Sequence, residues 1–273
     1  MRLRPIIARP IKWALARAGY DVFPRAGCYA ISQNAYGHDV FLDIDRLSKA
    51  WQYSIDLFFD VGASHGATSR RARDIFRNCR IVAFEPHPKT FLNLTENMKG
   101  VRNVELVNLA LGSEIADKVM FEYDNSVLNS LLPNAQFAVR FGVEATQIEV
   151  RCTTLDRFCS DRGIKQIDVL KIDTEGFELD VLKGASSLLS HQAIRFIYFE
   201  FNDIGSLRNA TGGALAPIDQ LIRPYGYRFI GTYNKYVVPD GELFLVSYAL
   251  YALPSYRQTE VRESLGRSEQ PST

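Results

Sequence analysis

The chain is short of the features that would classify it at once. Only four of its 273 residues are cysteine, namely Cys28, Cys79, Cys152 and Cys159. None belongs to a Cys-x-x-Cys pair and no histidine stands at zinc-ligand spacing from them, which excludes a structural zinc site and favours reduced thiols. No apolar run reaches the roughly 18 residues that a bilayer-spanning helix needs. The first residues do not form a secretory signal, because Arg9, Pro10, Lys12 and Arg17 interrupt the apolar stretch. The expected location is therefore the cytoplasm. Net charge is missing too: 32 basic side chains face 31 acidic ones, a formal charge of +1. That balance removes the basic excess by which nucleic-acid binders are known, and no nucleic-acid partner is expected.

What is present is a large core. Hydrophobic residues make up 47% of the chain and charged residues 23%, at a length that suits one α/β domain with terminal additions. Residues 1–55 read as a helical N-terminal extension. Within it, Met1 to Arg25 carries six Lys/Arg against Asp21, with Ile11, Ala14, Leu15 and Ala18 at helical spacing. Such a helix either packs on its own domain or makes a weak peripheral contact with an anionic membrane face. Residues 56–253 form the main domain, and the polar stretch 254–273 reads as a disordered tail. No internal repeat stands out, and the sequence leaves the oligomeric state open.

From residue 56 short β-rich runs alternate with amphipathic segments, the pattern of a parallel sheet covered by helices. Strands are expected at Leu57–Val61, Arg80–Phe84, Asn103–Asn108, Ile167–Asp173 and Ile194–Phe201. Val119–Tyr123 and Gln147–Cys152 read as an inserted pair, and Tyr227–Tyr233 with Glu242–Tyr251 as a terminal antiparallel pair. Thr153-x-x-Asp156 has the form of a helix capping box, and Val181, Leu182, Ala185, Leu188 and Leu189 form one helical stripe.

In an open α/β sheet, ligands bind beyond the carboxyl ends of the strands, where strand order reverses. Three polar features stand at such ends: the Asp60–Gly66 loop, Glu85, and the turn Asp173-Thr174-Glu175-Gly176. Gly62 and Gly66 allow a sharp turn and a close backbone approach. Their spacing is Gly-x-x-x-Gly after an acid, not the Gly-x-Gly-x-x-Gly of pyrophosphate binding. A carboxylate at Asp60 repels phosphate and welcomes a cationic or hydrogen-bond-donating ligand. Glu85 follows Gly66 by 19 residues at the end of the second strand, where an acid can take both ribose hydroxyls of a nucleoside.

These motifs resemble those of the FkbM family of S-adenosylmethionine-dependent methyltransferases. The likeness runs through Asp60-Val61-Gly62-Ala63-Ser64-His65-Gly66, Ala83-Phe84-Glu85-Pro86 and Asn108-Leu109-Ala110-Leu111-Gly112. It continues through Thr154-Leu155-Asp156, Asp168 to Leu179 with its Lys-Ile-Asp-x-Glu-Gly core, and Val181-Leu182-Lys183-Gly184-Ala185. The resemblance covers about residues 56 to 203. It implies a Rossmann-like class I methyltransferase fold, an α/β architecture with a seven-stranded, mostly parallel sheet and helices on both faces. It further implies S-adenosyl-L-methionine as cofactor, held by Asp60, Gly62, Ala63, Gly66, Glu85, Pro86, Asn108 and Ala110. The implied reaction is O-methylation of a hydroxyl on a sugar, glycan or natural product. The family usually carries Asn where Ser64 stands, so one hydrogen bond of the loop differs here.

Methyl transfer from a sulfonium needs the acceptor oxygen aligned and water excluded, and a general base assists a hydroxyl acceptor. Asp173 is the first candidate, as base or positioning group, and Glu175 the second; Glu200 and His65 are the others. Asp173 and Glu175 could instead cap and charge the first turn of the helix beginning near Phe177. Asp173, Glu175 and Glu200 are also hard oxygen ligands, but without a spacing motif, and no metal is expected. The insertion Asp124–Thr146, with Asn129, Ser130 and Asn134, and the loop Asn202–Pro217 could shape acceptor choice. Two alternatives stand beside this reading: a NAD-dependent oxidoreductase, and a cofactor-binding module without catalysis.

Overall fold

A computed structural model describes residues 20–24, 28–32, 36–123, 129–132, 145–204, 214–239 and 243–254. In chain order the strands are β1 (Tyr20–Pro24), β2 (Cys28–Ser32), β3 (Leu57–Val61), β4 (Arg80–Phe84), β5 (Val104–Val107), β6 (Ala110–Leu111), β7 (Ala116–Glu122), β8 (Thr146–Thr153), β9 (Ile167–Ile172), β10 (Ile194–Ile204), β11 (Arg228–Pro239) and β12 (Leu243–Ala252). The helices are α1 (Val40–Ala50), α2 (Ala67–Ile75), α3 (Pro88–Asn97), α4 (Leu155–Asp161), α5 (Glu178–Lys183), α6 (Ser186–Ser190) and α7 (Leu215–Ile222).

Seven strands form one sheet in the order β5-β4-β3-β9-β10-β12-β11. β3, β4, β5, β9 and β10 run parallel, while β12 is antiparallel to both β10 and β11. This is the Rossmann-like class I architecture, and strand order reverses between β3 and β9. The central strands are apolar almost throughout because helices cover both faces. Successive side chains alternate between the faces. Phe58 joins Phe41 and Phe76 under α1 and α2, whereas Phe59 meets Phe84 and Phe158 under α4. Each ring is buried, and Phe58, Phe59 and Phe84 completely so. β6, β7 and β8 form a separate three-stranded sheet, in which the inserted pair β7 and β8 is antiparallel.

Three details differ from the sequence expectation. The segment 1–55 is not wholly helical: β1 and β2 pair as an antiparallel hairpin. α1 is also no appendage. Val40, Phe41 and Ile44 pack with Phe58 and Phe196 of the sheet, and buried Asp43 accepts from the Tyr233 hydroxyl at 2.8 Å. Of the candidate membrane-contact segment 1–25 only residues 20–24 are described, and of the tail 254–273 only Pro254; Asn134 and most of both candidate acceptor loops also lie outside the described residues. Among the described residues no helix is long and apolar enough to cross a membrane.

The second difference is the cap of α4, which is Thr154, its hydroxyl accepting from the Arg157 N–H at 3.1 Å. Thr153 still belongs to β8, where its carbonyl accepts from the Gly112 N–H, and Asp156 caps α6 through the Ser187 and Leu188 N–H groups. Third, the single stripe from Val181 to Leu189 is split into α5 and α6 at Gly184. A Cβ there would lie 1.9 Å from the Gly112 carbonyl oxygen, and this backbone contact stops the helix from running straight through.

Candidate active site

The carboxyl ends of β3, β4 and β9 converge at the point of strand reversal, and a cavity of about 280 Å³ opens beyond them. Its wall includes Gly62, Ser64, Glu85, Pro86, Ala110, Asn129, Asp173, Glu175 and Tyr248. Two turns form the floor, and they touch. Gly62 has φ +73°, and a Cβ on it would lie 1.8 Å from the Asp173 carbonyl oxygen. The glycine is thus required by both the left-handed backbone and the close approach.

Under this floor lies a buried ion pair. Parallel pairing of β3 and β9 puts Asp60 opposite Lys171. The Lys171 ammonium is 2.9 Å from Asp60 Oδ1 and donates to the carbonyls of Gly62 at 2.7 Å and Val61 at 3.3 Å. The other Asp60 oxygen, Oδ2, accepts from the Ser69 hydroxyl at 2.6 Å. Burial alone would push the Lys171 pKa down. The charges of Asp60 and Asp173 more than offset that and hold it above its ordinary value. Removing the ammonium leaves Asp60 buried without its counter-charge, so Lys171→Met is expected to cost about 3–5 kcal/mol. The double variant with Asp60→Asn should recover part of that loss, and chemical denaturation of the four proteins measures the coupling.

This geometry corrects the reading of Asp60 as a direct partner of a cationic ligand. It is fully buried and does not line the cavity, because its charge is met from within by Lys171. Ala63, Gly66 and Asn108 are likewise supports outside the cavity wall. Ala63 packs with Leu94 and Met98, and Gly66 starts α2 with φ +86°. Asn108 donates to the carbonyls of Glu85 and Pro86 at 2.8 and 2.9 Å, fixing that strand end.

Glu85 lies in the wall where the sequence places it. Its Oε2 accepts from the Ser64 N–H at 2.9 Å and its Oε1 from the His87 N–H at 3.0 Å. A carboxylate has about four lone-pair sites, so each oxygen keeps one for a ligand. Burial pushes its pKa up to about 6, against the pull of those two N–H groups. Ser64 has φ +48°, a left-handed position where Asn is favoured among non-glycine residues. This accounts for the family's usual Asn. The bond to Glu85 comes from the backbone and is kept with serine.

On the opposite turn, Asp173 Oδ2 accepts from the Tyr248 hydroxyl at 3.0 Å and lies 3.5 Å from the Lys171 ammonium. Glu175 sits in the wall in a left-handed conformation, φ +55°. Neither residue caps the following helix. Glu178 holds the turn instead, its Oε1 accepting from the N–H and hydroxyl of Thr174 and the N–H of Gly176. The Ser130 hydroxyl donates to the Glu175 carbonyl at 2.8 Å, tying the insertion to the same turn. One carboxylate oxygen each of Asp173, Glu175 and Glu200 lies within 4.8 Å of the others. Burial, followed by the charges of neighbouring carboxylates, raises Glu175 and Glu200 well above the ordinary range. His65, the remaining base candidate, is exposed beside Ser64 and outside the wall.

Sequence reasoning missed the roles of Lys171, Glu178 and Tyr248. A lysine between Leu170 and Ile172 of a buried strand was the available signal for the first. The other two carry no signal that precedes knowledge of the turn and of strand pairing.

Residues 60–229 match the family model described as the methyltransferase FkbM domain. Among curated proteins the chain is 26% identical over 159 residues to the 2-O-methyltransferase NoeI of Sinorhizobium fredii, covering 54% of this chain and 63% of that protein. It is 27% identical over 161 residues to the hexuronic acid methyltransferase AglP of Haloferax volcanii, covering 59% of this chain and 62% of that protein. The matched part thus spans less than two thirds of either relative.

Proposed function

We propose methyl transfer to a hydroxyl oxygen of a sugar, glycan or natural product, starting from a chain that belongs to the FkbM methyltransferase family. S-adenosyl-L-methionine, the cofactor, supplies an electrophilic methyl group when bound. The observation that carries the reading is Glu85, buried in the cavity wall beyond the point of strand reversal with one free lone-pair site on each oxygen. Two acceptors so placed suit the two ribose hydroxyls of a nucleoside. Gly62, Ser64, Pro86 and Ala110 complete that side of the cavity, and the missing Cβ of Gly62 lets the two turns of the floor close against each other. Asp60, Ala63, Gly66 and Asn108 act one step back, as supports of these groups.

Asp173 and Glu175 face the same cavity and are assigned to the acceptor. Asp173 accepts the hydroxyl proton or holds the hydroxyl in line, with Glu175 beside it. NoeI and AglP are named for methylation at a 2-O position and of a hexuronic acid, which favours a carbohydrate hydroxyl. The nicotinamide alternative lacks support now that the family is established. A binding module without catalysis would bind cofactor yet transfer no label.

The reading is tested by titrating S-adenosylhomocysteine calorimetrically across pH. Both ribose hydroxyls can donate to Glu85 only while it is ionised, and burial pushes its pKa up to about 6. Affinity should therefore be full at pH 7 and fall as pH drops through 6, reaching about a tenfold loss at pH 5. Glu85→Gln should weaken binding at pH 7 by about 10- to 100-fold and abolish the pH dependence. PH-independent binding by the wild type would remove Glu85 from the ligand. Incubation with methyl-labelled cofactor and fractionated glycans then identifies the acceptor class.

A further inference from the structure

We propose that Asp173, Glu175 and Glu200 together bind a divalent cation of the hard, oxygen-seeking class at the acceptor wall of the cavity. The inference rests on the methyl-transfer reading only for what the ion does, not for the ion's binding. The sequence offers no metal motif, because the three ligands come from a strand end, a turn and a neighbouring strand. Pairing of β9 with β10 sets Phe199 opposite Ile172, so Glu200 comes level with Asp173. The left-handed backbone at Glu175 then turns a third carboxylate to the same place, giving oxygens within 4.8 Å of one another.

Glu200 supplies the independent observation. It is 7% exposed, and its buried Oε2 has no hydrogen-bond partner among the described residues. A buried carboxylate oxygen without a donor is costly, and a cation among the three carboxylates removes that cost. Lys171 does not fill the need. Its ammonium is spent on Asp60, Gly62 and Val61, with only a 3.5 Å contact to Asp173. Asp60, Asp173, Glu175, Glu178 and Glu200 thus set five carboxylates against one lysine.

The spacing suits such an ion. Oxygens bound at about 2.3–2.6 Å, as for calcium, lie up to about 5 Å apart across the ion, and magnesium at about 2.1 Å requires a contraction of under about 1 Å. The site is also held in advance. Glu178 and Ser130 fix the turn that carries Glu175, and Tyr248 fixes one oxygen of Asp173. An acceptor hydroxyl reaching this wall could complete the coordination, which would lower its pKa and ease loss of its proton.

The test is manganese uptake by chelator-treated protein, followed by the spin resonance of free Mn²⁺ with and without S-adenosylhomocysteine. The expected result is one ion per chain, displaced by Ca²⁺ or Mg²⁺. Glu200→Gln should weaken uptake by about tenfold or more, since ligand charge sets affinity, and leave S-adenosylhomocysteine affinity within about twofold, because Glu200 is not part of the cofactor wall. If Glu200→Gln does not fold, Asp173→Asn and Glu175→Gln carry the same comparison. Absence of stoichiometric uptake by wild-type protein overturns the proposal and leaves a shared proton as the way the carboxylates coexist. Equal uptake by wild type and folded variants overturns it too, by placing the ion elsewhere. Loss of S-adenosylhomocysteine binding alone counts against the methyl-transfer reading and not against the cation, because uptake is also read without cofactor.

Discussion

A Gly62→Ala protein is expected to lose cofactor binding and a large part of its stability. The left-handed backbone at φ +73° costs a non-glycine residue about 1–2 kcal/mol. The larger cost is steric, since the new Cβ would lie 1.8 Å from the Asp173 carbonyl oxygen, and backbone cannot rotate away as a side chain can. Overpacking of this kind adds about 1–3 kcal/mol. Together they predict a fall in melting temperature of about 5–15 °C for a domain of this size. Gly100→Ala is the control. It has φ +75° and nothing within 4 Å of the added Cβ, so only the conformational cost of about 1–2 kcal/mol applies. Equal melting temperatures for the two variants would show that the two turns do not touch in solution. Calorimetry with S-adenosylhomocysteine should find no binding to Gly62→Ala, because the displaced loop carries the Ser64 N–H that orients Glu85.

Asp173→Asn should separate binding from chemistry. Asparagine is nearly isosteric and its carbonyl can still accept from the Tyr248 hydroxyl, so the turn should hold. On the role proposed for Asp173, the lost charge removes the proton acceptor, or the group that positions the acceptor hydroxyl. A general base contributes about 10²–10⁴ in rate, and single-turnover transfer at saturating acceptor should fall within that range. Affinity for S-adenosylhomocysteine should stay within about twofold, since the nucleoside contact proposed above is Glu85 and not Asp173. An unchanged single-turnover rate would confine Asp173 to the structure of the turn.

The legible part of this protein follows from local pattern. Alternating strands and helices give the parallel sheet, and Gly62 and Glu85 read as ligand-facing because their spacing marks strand ends. Interactions that depend on strand register were not legible. Asp60 looks like a ligand-facing charge until β3 pairs with β9 and sets Lys171 against it. Glu200 and Glu175 converge on Asp173 only once β9 and β10 are neighbours and residue 175 is left-handed. Tyr248 reaches the site because it stands opposite Glu200 in the antiparallel pairing of β10 with β12. The hairpin of β1 and β2 fell within a segment read as helical from the spacing of residues 11 to 18, which lie outside the described residues. The break at Gly184 needed knowledge of Gly112, distant in sequence and adjoining in space.

The position of β12 has a consequence for how the chain reaches its native state. The last of the described strands lies inside the sheet, between β10 and β11, and β11 has no other neighbour there. During synthesis β10 must wait as an open edge, and β11 cannot add to the sheet at all. Such contacts of long sequence separation slow folding and leave an edge exposed to other chains meanwhile. Tyr248 belongs to that strand, so the Asp173 turn acquires its tyrosine partner only after most of the chain has emerged. A nascent chain that stops short of residue 243 therefore presents an aggregation-prone edge, not a smaller complete sheet.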